Sequence, residues 1–219
     1  MMLHTTTNSG LHDFVAERVL FRYAKPGVRA VDLGTGPGAM AVRLQSMGCD
    51  VVGVDRNTHG FAAKVPHVAL DLDGADFSSQ LGVSQFQLVT AIEVIEHVES
   101  PIGFLRNVGR LLAPGGVAVL TTPNVDSLPA RCKFFLTGKL RTMDEHSEPT
   151  HISPVFWDLF GRQFLPRARV QLREHFVFPP NGYQLTRPPI ALVMRLLSML
   201  LAGDSLIGDN HVLVVERSR

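Results

Sequence analysis

The sequence predicts an α/β fold: an open, mostly parallel sheet with helices on both faces and an inserted lid after the fifth strand. Three observations predict it. Short β-branched runs alternate with helical stripes as far as Thr121. A glycine-rich loop joins the first strand to the next helix, and the second, third and fourth strands each stop at an acid.

Leu11, Phe14, Val15 and Val19 recur at helical spacing and mark an amphipathic N-terminal helix. Arg29 to Leu33 is the first strand, and a helix from about Ala39 to Met47 follows its loop, closed by Gly48. Asp50 to Val54, His67 to Leu70 and Phe86 to Ala91 are the next strands, stopped by Asp55, Asp71 and Glu93. Ser100-Pro101 reads as a cap and first-turn proline for a helix whose stripe is Ile102, Leu105, Val108, Leu111 and Leu112. Val117 to Thr121 is strand five. Val125 to Phe160 then reads as an insertion, with an apolar helix around Leu128 to Leu136. Ser153-Pro154 is expected to start a short helix, Val170 to Phe178 a strand, Ile190 to Leu201 a helix, and His211 to Glu216 a final strand of alternating burial.

With 219 residues, 45% of them hydrophobic, the chain suits one domain spanning 1–219. Within it, about 28–124 would form a ligand-binding core and about 125–165 a covering insertion. The net charge of +1 gives no whole-molecule field, so nucleic acid is not the expected partner. Cys49 and Cys132 lack metal-ligand spacing and fit a reducing compartment, and Met1 to Gly10 carries no apolar segment, so a cytoplasmic location is expected. Pro189 to Gly203, interrupted by Arg195, falls short of the roughly 20 apolar residues of a membrane span. It suits either core cover or peripheral contact with a membrane surface.

Asp32-Leu33-Gly34-Thr35-Gly36-Pro37-Gly38 lets the backbone turn sharply and a ligand approach closely. Asp55, 23 residues beyond Asp32, offers paired acceptors to a ribose diol, with Arg56 beside it. Asp32 is poised for a cationic amino group, and Asp71 for an adenine amino group. Gly34, Gly36 and Ala39 also satisfy the loose nicotinamide fingerprint, so an NAD-dependent oxidoreductase is the competing reading, although a pyrophosphate gains nothing from so many carboxylates.

Over Val31 to Asn124 the chain resembles the class I methyltransferases, a Rossmann-like family. The 32–38 loop is similar to their first motif, Asp55 to their ribose acid, Asp71-Leu72 to their adenine-side residues, and Leu111 to Gly116 to their post-helix turn. The resemblance implies S-adenosylmethionine as methyl donor, with backbone around Ala91 and Ile92 lining its pocket and Asn124 near the acceptor. Gln87 departs from the family's Phe-Asp-Leu-Val run, at the strand start and away from the donor.

If Glu93-Val94-Ile95-Glu96-His97 makes one helical turn, Glu93 faces Glu96 and His97, a ligand set for Mg²⁺, Mn²⁺, Fe²⁺ or Zn²⁺. The run resembles two metal-linked groups, the ubiquinone-pathway O-methyltransferases and the small-RNA 2′-O-methyltransferases. In them a further histidine arrives from the insertion, and His151 takes that position here, with His146 a second candidate. The metal would activate an acceptor hydroxyl; alternatively His97 or His151 serves directly as general base, or Glu93 simply bonds the donor loop, Glu96 favours a nearby helix N-terminus and His97 is a packed, hydrogen-bonded residue. Arg131, Lys133, Lys139 and Arg141, interleaved with Phe134 and Phe135, suit an anionic or lipid-linked acceptor or a solvated helix equally. Trp157 reads as lid core. The expected activity is methyl transfer to a small or lipid-linked hydroxyl compound, with a non-catalytic donor-binding protein as a further alternative.

Overall fold

The computed structural model describes residues 7–57, 60–145, 147–201 and 205–218. Among them a seven-stranded sheet runs in the order β3-β2-β1-β4-β5-β7-β6. Its strands are β1 (Arg29–Leu33), β2 (Asp50–Asp55), β3 (His67–Ala69), β4 (Phe86–Ile92), β5 (Leu112–Pro123), β6 (Val170–Phe178) and β7 (Asn210–Arg217). The first five are parallel neighbours, while β7 runs antiparallel to both β5 and β6. Strand order reverses beside β1, which lies between β2 and β4, and such a switch point opens a crevice at the strands' carboxyl ends.

Both faces are covered. On one, α1 (Leu11–Arg18) and α2 (Ala39–Ser46) press Leu11, Val15, Met40 and Leu44 against Ala30, Leu88 and Val119. On the other, α3 (Phe77–Leu81) and α4 (Pro101–Leu111) bring Phe77, Phe104, Leu105 and Val108 onto Val31, Val89 and Leu120. The Ser100 hydroxyl caps α4 by accepting from the Gly103 amide, and Pro101 opens the first turn, as the Ser-Pro pair predicts.

Beyond β5 come α5 (Leu128–Thr137), α6 (Trp157–Leu159), a π-helical turn at Phe160–Phe164, α7 (Leu165–Ala168) and α8 (Pro188–Leu200). Two expectations need correction here, and one helix was not expected. The helix assigned to Ser153-Pro154 begins at Trp157, because the Ser153 hydroxyl donates to the Val98 carbonyl at 2.6 Å instead of capping. Strand β7 is buried from Asn210 to Val215 without alternation, since it lies inside the sheet and both its faces are covered. Helix α3, absent from the expected elements, has too few residues for a visible stripe; Asp76 caps it and pairs with Arg110 at 2.6 Å.

Candidate active site

At the crevice the backbone does what the glycine spacing predicts. Gly34, Gly36 and Gly38 all have positive φ, at 65°, 51° and 96°. A Cβ on Gly34 would come within 2.5 Å of Val94 Cγ2, and one on Gly38 within 2.4 Å of Ala63 Cβ. The loop is fastened to the strand ends: the Thr35 amide donates to the Val54 carbonyl at 3.0 Å, and the Gly36 amide to Asp55 Oδ2 at 3.0 Å. The other Asp55 oxygen accepts from the Asn57 amide.

Asp32 is buried and accepts 2.7 Å hydrogen bonds from the hydroxyls of Thr35 and Thr90. Burial raises its pKa to about 6, against the pull of the Thr90 and Thr35 hydroxyls. A cation brought beside it would restore full ionisation.

Two cavities lie along the crevice and share Gly34, Glu93, His97 and Thr150 in their walls. One, of about 230 Å³, is lined by Asp55, Arg56, Asp71 and Leu72. The other, of about 450 Å³, is lined by Asp32, Thr35, Gly36, Ile92, His97 and His151. Thus the expected ribose and adenine residues share one cavity, and the expected amino-acid and acceptor residues the other. Gly38, Ala91 and Glu96 line neither: Gly38 packs under Ala63 at the start of α2, Ala91 is sealed in β4, and Glu96 is fully buried.

Glu96, His97 and His151 come together. Each offers one ligand atom, and these atoms lie within 4.8 Å of one another. A 3₁₀ turn at Ile95–His97 presents the first two. The insertion is held against this turn by the Ile152 and Ser153 amides, which both donate to the Glu96 carbonyl. His97 Nδ1 lies 3.2 Å from the Thr150 carbonyl oxygen and His151 Nδ1 2.7 Å from that of Thr142. A carbonyl only accepts, so each Nδ1 carries the proton and each Nε2 keeps a free lone pair in the neutral ring. Burial and the neighbouring His151 ring lower the His97 pKa, which favours that neutral form. Neither buried Glu96 carboxyl oxygen makes a well-formed hydrogen bond to a described residue, and burial followed by repulsion from Glu93 pushes its pKa well up, against a weaker pull from its own amide and the nearby Thr122 hydroxyl. A buried carboxyl so poorly satisfied is costly.

Glu93 does not join this cluster. Its φ of 55° sends the side chain away from the 3₁₀ turn, so Oε1 accepts from Thr121 at 2.9 Å and Oε2 from Asn210 at 2.8 Å. The expected helical turn begins two residues too late to align it with Glu96 and His97. Burial raises its pKa to about 7. His146 lies outside the described residues.

Asn124 serves the turn: its amide nitrogen donates to the carbonyls of Ser205, Ile207 and Gly208. Lys133, Lys139 and Arg141 pair with Asp144, Glu145 and Asp209. Trp157 stacks on His175 with centroids 3.9 Å apart, and His175 Nε2 lies 2.9 Å from His211 Nδ1. His12 and Asn210 also line the larger cavity, from α1 and β7. No local motif announces either, because each reaches the site only through tertiary packing.

The 3-2-1-4-5-7-6 sheet, its glycine loop and the acids at its strand ends define a class I S-adenosylmethionine-dependent methyltransferase. A family model described as a methyltransferase domain matches residues 7–160, and the chain belongs to that family. The ubiquinone biosynthesis O-methyltransferase of Ruegeria pomeroyi is 32% identical over 171 residues, 72% of this chain and 66% of that protein. The protein of the same description from Caulobacter sp. is 29% identical over 126 residues, 51% of this chain and 50% of that one. The chain spans about half the length of the first curated relatives it matches. A crystal structure of a SAM-dependent methyltransferase from Archaeoglobus fulgidus shares the fold, with a TM-score of 0.61 at 19% identity and 94% of both chains covered. The family match favours the methyltransferase reading over the nicotinamide one.

Proposed function

We propose that this enzyme methylates a hydroxyl oxygen on a small or lipid-linked acceptor, with a divalent cation held by Glu96, His97 and His151. The observation that carries the reading is the Glu96 carboxyl, buried and poorly satisfied beside two imidazoles whose Nδ1 atoms are already engaged. One oxygen and two nitrogen ligands leave room for further ligands on Mg²⁺, Mn²⁺, Fe²⁺ or Zn²⁺, and the carbonyls of Thr150 and Thr142 orient the rings from behind. When bound, such a cation lowers the pKa of a nearby hydroxyl.

In this reading the whole chain is one domain, with about 28–124 holding the donor and about 125–165 the acceptor. Asp55 takes the ribose diol, Asp71 and Leu72 the adenine side, and Arg56 the rim. The loop at Gly34, Thr35 and Gly36, with Ile92, lines the path of the donor's amino-acid part, and its α-ammonium group ionises Asp32. Gly38 and Ala91 shape the site from behind. The acceptor oxygen attacks the methyl carbon as the carbon–sulfur bond breaks, and the sulfonium leaves as a neutral thioether; with a cation on both Nε2 atoms the hydroxyl proton goes to solvent, and Nε2 of His97 or His151 is the base only in the alternative without a cation. The named activity of the relatives, ubiquinone biosynthesis O-methylation, supports oxygen as target and a phenol-like acceptor.

The test is transfer of a labelled methyl group from S-adenosylmethionine to catechol-type acceptors, with and without a prenyl tail. EDTA-treated enzyme is compared before and after each cation is restored, and mass spectrometry locates the methyl. The reading expects oxygen-bound label and activity restored by a cation; equal activity in EDTA removes the metal, and label on nitrogen or carbon removes the acceptor class.

A further inference from the structure

Helix α8 turns most of its surface to solvent. It runs over Pro188–Leu200, and Ser198 is its one buried residue. At 100° per residue, Leu192, Val193, Leu196, Met199 and Leu200 fall on one half of the helix, opposite Ser198, and all are exposed, Leu200 by 82%. Helix α5 packs alongside and adds Phe134, Phe135 and Leu136 from its last turns, with Phe135 exposed by 88%. An apolar surface of this extent is not ordinary for a water-facing helix.

The segments that form it carry only cations, although Asp126, Asp144, Glu145 and Asp209 beside them pair with four of these. Residues 128–143 and 184–201 contain six Lys and Arg and no Asp or Glu. Lys133, Lys139 and Arg141 are internally paired, whereas Arg187, before the helix, and Arg195, at the edge of the stripe, have no ion pair among the described residues. A second copy of the chain fits this face poorly. Antiparallel self-pairing of α8 about its midpoint would set two Arg195 side chains close together, with no acid on the helix to offset them. An anionic lipid surface meets both requirements, since apolar side chains enter the acyl boundary while arginines reach phosphate.

We propose that the exposed stripe of α8, with the end of α5, docks on an anionic bilayer and lies in its plane. Thirteen residues make a helix of about 20 Å, too short to cross a hydrocarbon core of about 30 Å, and no described helix is long and apolar enough to span. Leu185, half exposed just before α8, also lines the larger cavity. The docked face therefore borders the entrance through which a lipid-linked acceptor passes to His97 and His151; that delivery role rests on the acceptor reading above, and docking itself does not.

The experiment is sedimentation of the whole chain with vesicles of phosphatidylcholine alone or with one-third phosphatidylglycerol. It is repeated for the double variant Leu196→Glu, Leu200→Glu, with light scattering for mass and S-adenosylhomocysteine binding as the check that the variant is folded. The proposal expects saturable binding that favours the anionic vesicles and weakens at least tenfold in the variant, whose ligand binding is unchanged. It is overturned by absence of vesicle binding, by equal binding of the variant, or by a wild-type dimer that the variant dissolves without any vesicle association. A variant that no longer binds S-adenosylhomocysteine is replaced by Leu192→Ser, Leu196→Ser, read by the same criteria. No donor, metal or acceptor enters the sedimentation, so its failure leaves the methyl-transfer reading standing, and the reverse.

Discussion

Replacing Glu96 by methionine, of similar length and no charge, should change stability in opposite directions with and without metal. In metal-free protein both Glu96 oxygens are buried without a well-formed hydrogen bond, only the Thr122 hydroxyl and the residue's own amide lying near, and repulsion from Glu93 adds to the burial cost. An unsatisfied buried polar group costs about 1–3 kcal/mol. Glu96→Met should recover that much, which for a chain of 219 residues raises Tm by roughly 2–12 °C at about 2–4 °C per kcal/mol. Adding a cation at a hundred times its Kd stabilises wild type by about 2.7 kcal/mol and the variant by far less. The assay is differential scanning calorimetry of EDTA-treated protein, titrated with Mn²⁺ or Zn²⁺. A metal-free variant less stable than wild type, or equal metal-induced shifts in both, would refute the assignment of this carboxyl as an unpaired ligand.

Gly38→Ala should lower stability by about 2–5 kcal/mol, the sum of a left-handed backbone and an overpacked contact, because φ is 96° and the new Cβ would lie 2.4 Å from Ala63 Cβ; urea unfolding measures it, and a loss below 1 kcal/mol would contradict the geometry. Burial, and then Arg43, lowers the His12 pKa from 6.5 to about 4, so the unfolded chain binds the extra proton first and the stability contributed by neutral His12 is lost as pH falls below 6.5. Asp32 and Glu93, both raised, act in the opposite sense, so the informative quantity is a difference: His12→Phe should gain about 2 kcal/mol on wild type between pH 7 and pH 5, and parallel pH curves would contradict it. Asn210→Ala should free one Glu93 oxygen and raise the Glu93 pKa further, seen as a shifted carboxyl resonance in NMR titration; an unmoved resonance would mean that the 2.8 Å bond contributes nothing.

Strands β1, β2, β4 and β5 were legible because buried parallel strands read as apolar runs, whereas β3, largely exposed at the sheet edge, was legible from its place before Asp71; Asp55 and Glu93 marked two of the other ends. The glycine loop was legible for a different reason: each positive φ demands the one residue without a Cβ. Convergence of Glu96, His97 and His151 could be anticipated from local spacing and the family resemblance. What escaped was set by tertiary packing. The left-handed Glu93 conformation, supported by Thr121 from β5, has no signature in a run that reads equally well as a helical turn. Strand β7 gave no sign of its antiparallel insertion between β5 and β6, and the reach of Asn210 to Glu93, 117 residues away, depends on it. Asp76 was indistinguishable from a solvated acid until α3 supplied the amide it caps.

The account's central claim is that the glycine loop and Asp55 form an S-adenosylmethionine site, and calorimetric titration of wild type and Asp55→Ala with S-adenosylhomocysteine and NAD⁺ tests it most directly. It predicts saturable, equimolar binding of S-adenosylhomocysteine, weakened at least tenfold in Asp55→Ala, and no heat from NAD⁺. Saturable NAD⁺ binding with no response to S-adenosylhomocysteine would contradict it.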